Sequence, residues 1–89
     1  MADDEFPPDL LGAQRTYWAA DARVQEVTDA LPSAQEVLEG AMTDEQREEL
    51  AQVREARLQA LEALNRHPWW KDAGDRYAAQ KALRQAAGA

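Results

Sequence analysis

From Leu10 onward, apolar residues recur every seven positions: Leu10, Tyr17, Val24 and Leu31, with Ala13, Ala20 and Val27 at the offset positions. Steps of three and four residues place all of these on one face of an α-helix. The alanines let a neighbouring helix come close, and Leu11 and Trp18 widen the stripe on one side. Pro7 and Pro8 suit a helix start, because first-turn N–H groups have no intrahelical partner. Asp9 in that turn complements the helix dipole. The pattern predicts a helix over about residues 8–30.

A second stripe, Leu50, Val53, Ala60, Leu61 and Leu64, predicts a helix over about residues 44–66. Thr43 with Gln46 has the form of a capping box at its start. Its first turns carry Asp44, Glu45, Glu48 and Glu49, and it closes with Arg66, the charge order the dipole prefers. Pro68 disfavours helical geometry at His67 and ends it there. Between the two long segments, Ser33 with Glu36 forms another capping box and predicts a short connecting helix over about 34–41. Beyond Pro68, Trp70, Ala73, Tyr77 and Gln80 predict a last helix over about 70–86, with Gly74 weakening its first turns.

Two long helices of similar length and a compact connector predict an all-α fold, an antiparallel hairpin that the last helix completes as a three-helix bundle. In that hairpin, facing residues have numbers adding to about 78. Val24 then meets Val53 or Arg54, and Tyr17 meets Leu61. Asp21 and Arg57 both interrupt their apolar stripes and obey the same register. They are expected to meet as a partly buried ion pair that fixes alignment; the alternative is that each sits at its stripe's edge in water. Phe6, Leu10, Leu11 and Leu64 collect where the first helix begins and the second stops. Trp69 and Trp70 are expected to close that mouth, one in the core and one half exposed or facing a partner, since helical neighbours point about 100° apart. Residues 1–6 read as a disordered acidic tail and 7–87 as one domain.

Composition sharpens this reading. Charged residues make up 30% of the chain, Gly and Pro are few, and alternating runs of Val, Ile and Thr are absent, so strands are not expected. A domain this small buries a modest core, which favours a homodimer. There is no Cys, hence no disulfide or thiolate site, and the expected compartment is the cytoplasm. No apolar run approaches the ~18 residues of a membrane span, so no membrane partner is expected. The net charge of −7 disfavours nucleic acid as a partner. The acid excess lies before residue 67, however, and the remainder is net basic.

Candidate chemistry is sparse. His67, the one histidine, lacks a carboxylate or second imidazole at metal-ligand spacing, and reads as a helix-terminal residue capping carbonyls. Ser33 reads as an N-cap, with no base at hand to make it a nucleophile. The acid cluster at Asp44 to Glu49 lacks the loop that wraps a cation. No catalytic residue, metal ligand or cofactor site is expected. Lys71, Arg76, Lys81 and Arg84 with Trp69, Trp70 and Tyr77 form a basic-aromatic strip. Such strips stack bases or lie on membranes, although aromatics in the core and bases paired with the acidic helices is the simpler arrangement.

The segments "FPPDLLGAQRTYWAADARV", "TDEQREEL", "LNRHPWW" and "DRYAAQKALRQAA" resemble a loose group of small helical proteins from actinobacteria, of which His67-Pro68-Trp69-Trp70 is the most distinctive part. The resemblance implies a helical fold and a bacterial cytoplasm, not a reaction. The expectation is a non-enzymatic protein-interaction or regulatory module, contacting its partner through Trp69, Trp70, Tyr77 and Trp18. The alternative is a nucleic-acid-related protein, either binding a polyanion through the basic C-terminal helix or mimicking one with its acidic helices.

Overall fold

The computed structural model describes residues 6–31, 40 and 42–88. Among them are three α-helices and no strand: α1 (Pro8–Ala30), α2 (Asp44–Asn65) and α3 (Arg76–Gly88), with a 3-10 segment (Pro68–Asp72) before α3. The expected connecting helix, the Ser33 cap and the acidic tail up to residue 5 lie outside the described residues.

The ends of the helices follow local chemistry. Pro8 occupies the first turn of α1, and the Leu10 and Leu11 N–H groups donate to the Pro7 carbonyl. At α2 the capping box is complete: the Gln46 N–H donates to Thr43 Oγ1 (3.1 Å) and the Thr43 N–H to Gln46 Oε1 (2.8 Å). These bonds satisfy donors that the first helical turn leaves open. The Arg66 N–H closes α2 on Glu62. His67 then adopts extended geometry (ψ 133°), as a residue before proline must.

Helices α1 and α2 pack along each other, while α3 lies on α1 and touches α2 only sparsely. The result is an all-α bundle shaped as a rod of 53 × 21 × 20 Å, two helix diameters across. The core is concentrated at one end, where Phe6, Leu10, Leu64, Trp70 and Leu83 form a single cluster. Leu10 and Leu83 are fully buried; each such side chain contributes roughly 1.5–3 kcal/mol. Val24, Val27 and Leu50 are buried further along the hairpin. Phe6, read from the sequence as the end of the acidic tail, is buried in the core cluster.

The last helix departs from expectation. It begins at Arg76 rather than near residue 70, and the stripe Trp70, Ala73, Tyr77 and Gln80 is not its buried line. Trp70 sits in the 3-10 segment and Tyr77 is 71% exposed, whereas Leu83 and Ala87 are buried, flanked by Ala79, Ala82 and Ala86. Gly74 explains the difference. Its φ of +68° lies in the left-handed region that glycine adopts without steric cost. The chain turns there and restarts at Asp75, whose carboxylate accepts from the Ala78 N–H (3.1 Å). A new start resets the helical phase, so apolar spacing counted across Gly74 loses its meaning.

Replacing Leu10 by Ala removes a fully buried side chain from the centre of the cluster. A loss of about 2–5 kcal/mol of unfolding free energy is expected by urea titration, and a loss below about 1 kcal/mol would mean that this end is not the core.

Candidate interaction site at the closed end

The Trp pair is built by a short sequence, His67-Pro68-Trp69-Trp70, that turns back on the end of α2. His67 acts as N-cap of the 3-10 segment: its Nδ1 accepts from the Trp69 N–H (3.1 Å). Its Nε2 lies 3.0 Å from Asp9 Oδ2 in the first turn of α1. Because Nδ1 accepts, Nε2 carries the proton and donates to the carboxylate. His67 therefore does not cap the carbonyls of α2. It ties the start of α1 to the start of the 3-10 segment.

The carbonyls at the end of α2 are met by two other side chains. The Trp70 indole N–H donates to the Leu64 carbonyl at 2.7 Å, and Arg76 donates to that of Asn65 at 3.4 Å. The Arg76 guanidinium also lies 5.0 Å from the centre of the Trp70 ring, within the range of a cation–π contact. Trp69 is half-buried, 5.0 Å from the Phe6 ring and edge-on to Trp70 at 5.2 Å. The adjacent indoles thus divide their roles: Trp70 is core and cap, and Trp69 is the lid over Phe6. Burial withdraws Trp70 from the set of candidate contact residues.

Asp21 and Arg57 meet across α1 and α2, with Nη1 3.3 Å from Oδ1. Both side chains keep more than a third of their surface in water, so the pair contributes about 0.2–1 kcal/mol at most. Tyr17 and Leu61, expected to face each other, line one cleft.

Trp18 and Tyr77 remain on the surface, at 36% and 71% exposure. Trp18 lies beside Gly88 at the end of α3, where a Cβ on that glycine would come 3.8 Å from the indole. The same end of α3 is held by Arg15, whose Nε donates to the Ala87 carbonyl (2.9 Å). Lys81 reaches over the Tyr77 ring (5.8 Å). Among the described residues none of Lys71, Arg76, Lys81 and Arg84 is ion-paired with a carboxylate. The expected pairing of these bases with the acidic helices is therefore not what the structure contains. Among the same residues no group of three His, Asp or Glu gathers as metal ligands, and no helix is long and apolar enough to cross a membrane.

Comparison with protein families gives a match over residues 9–86, nearly all of the helical domain, to the model of DUF8825, described as a domain of unknown function. The chain belongs to the DUF8825 family. The matched span includes both long helices, the His67-Pro68-Trp69-Trp70 turn and most of α3, so the closed end is part of the DUF8825 domain. No curated protein and no solved structure matches the chain.

Two outcomes test the site's construction. Trp70→Phe keeps the ring in the core but removes the N–H that Leu64 accepts; about 1–2 kcal/mol of stability should be lost in chemical denaturation, and an unchanged midpoint would remove the capping role. The hydrogen bond from His67 holds the Asp9 carboxyl below its ordinary value against desolvation, with smaller help from electrostatic attraction to the His67 ring and from the backbone N–H groups of Leu10 and Asp9. A folded-state value below the unfolded one means that the stabilisation exists above the ordinary aspartate range and is lost as pH falls through the depressed value. In urea titrations from about pH 6 down to about pH 2, Asp9→Asn should fall less steeply than the parent, and parallel curves would show that the contact carries no linkage.

Proposed function

We propose that this DUF8825 chain is a non-enzymatic interaction module that docks an acidic protein surface through the outer face of α3. The exposed Tyr77 carries the reading. It stands on a helix bearing Arg76, Lys81 and Arg84 and no acid, and none of these bases is neutralised by a carboxylate within the described residues. Tyr and Arg are favoured at binding hot spots, and a cation beside an exposed ring is well placed to meet a carboxylate. Trp18, which lies beside Gly88 at the end of α3, is a secondary contact, and the half-buried Trp69 at the closed end is a second.

The same molecule offers a surface of opposite sign. Asp44, Glu45, Glu48 and Glu49 are exposed on the first turns of α2. A second copy is therefore the partner proposed first, with α3 of each protomer against the acidic turns of the other, an arrangement that a two-fold axis closes. The residues best suited to chemistry are engaged elsewhere: His67 joins two helix starts, which fits a non-catalytic role. The proposed compartment is the cytoplasm, where a chain without cysteine needs no disulfide. The alternative occupant of a basic, aromatic helix face is a polyanion, which the net charge of −7 opposes.

Sedimentation equilibrium tests the proposal. The average mass should rise above the monomer value of 9.9 kDa with concentration. Tyr77→Ala combined with Lys81→Glu should weaken association at least ~10-fold, about 1.4 kcal/mol, without change in helical circular dichroism. A parent that stays monomeric throughout rules out the homodimer. Salt-dependent binding of single-stranded DNA, lost in the same variant, would replace the acidic protein by a polyanion.

A further inference from the structure

Because α3 leans on α1 and scarcely touches α2, the two do not close over their common support. Between them runs a cleft of about 350 Å³, at the lower end of the ~300–1,000 Å³ typical of small-ligand sites. Its apolar surface comes from Trp18 and Tyr17 of α1, Leu61 and Leu64 of α2, and Trp70. Its polar groups are the carboxamides of Gln14, Asn65 and Gln80, the Arg84 guanidinium and the Asp21 carboxylate.

Gln14 sets this cleft apart from a packing gap. The residue is 4% exposed, yet among the described residues its amide has no hydrogen-bond partner. Among the described residues no side-chain nitrogen or oxygen is both wholly sealed from solvent and unpaired, so this amide keeps some access to solvent, and Gln14 lines the cleft. The amide is therefore free to bond whatever enters the cleft. The cleft carries one charge of each sign. Asp21 is already paired with Arg57, while Arg84 faces no carboxylate among the described residues. The charge left without a counter-ion is therefore the Arg84 guanidinium, beside aromatic walls.

We propose that this cleft is a binding site for a small aromatic carboxylate, with the carboxylate at Arg84, the ring against Trp18 and Leu61, and the Gln14 amide supplying a hydrogen bond inside. The cleft shares Trp18 and Arg84 with the α3 face but not Tyr77 or Lys81, so the Tyr77→Ala and Lys81→Glu variant, which should still bind in the cleft, keeps failure of one proposal distinguishable from failure of the other.

The test is an amide and indole ¹⁵N–¹H titration of the full chain with 3-phenylpropionate, and with 3-phenylpropylamine as the probe of equal shape and opposite charge. The acid should give saturable shifts of the Gln14 side-chain amide and the Trp18 indole N–H, with Kd on the order of 1 mM for so few atoms. The amine should bind at least ~10-fold more weakly, and Arg84→Gln, at an exposed position that leaves the fold intact, should weaken the acid by a similar factor. Gln14→Leu should abolish binding with helicity retained. The proposal is overturned if the acid gives no saturable shift, if the shifts fall away from the cleft, if acid and amine bind alike, or if Arg84→Gln binds as the parent does.

Discussion

The bond from the Trp70 indole to the Leu64 carbonyl is the constraint on which the closed end depends. A helix leaves its last carbonyls unsatisfied, and burying them without a donor is costly. Here the donor is carried by the largest side chain of the core cluster, so one residue both fills the mouth of the hairpin and completes the helix that ends there. Pro68 makes this geometry available by stopping α2 and turning the chain back within a few residues. Arg76 over the Trp70 ring extends the same joint into α3.

The cleft and the exposed tyrosine share an origin in the short bridge after that joint. Gly74 takes a conformation that a side chain would strain, and Asp75 then starts a helix of new phase. In that phase small alanines and Leu83 face α1, Tyr77 faces outward, and Gln80 and Arg84 face the space left beside α2. The Arg15 bond to the Ala87 carbonyl holds the far end of α3 to α1. At its start α3 is tied to the end of α2 through Arg76, so the helix is joined to different neighbours at its two ends and leaves a gap between them.

Much of the scaffold was legible because its determinants are local. The seven-residue recurrence from Leu10, the Thr43 and Gln46 box and the stop at Pro68 each act within a turn or two of helix, and α1 and α2 follow from them. Asp21 and Arg57 were legible as a pair because two helices in antiparallel register tie distant numbers together by a simple rule. The last helix was misread because apolar periodicity was carried through Gly74, where the backbone breaks phase. Gly74 followed by Asp75 was the available signal, a left-handed turn residue ahead of a capping carboxylate. His67 was placed at a helix end, but its bond to Asp9 joins residues 58 apart in sequence, and no local pattern announces such a contact. The unpartnered amide of Gln14 was likewise invisible, since it depends on how two helices fail to meet.

The core cluster draws Phe6 and Leu10 from one end of the described chain and Leu83 from the other. Contacts of such wide separation form only after most of the chain is available. On the ribosome, helical turns of α1 and α2 would exist before their shared mouth has its stopper, and the emerging hairpin would present leucines to its surroundings until the segment carrying Trp70 and Leu83 arrives. For this architecture the hazardous moment of its life is the interval of its own synthesis.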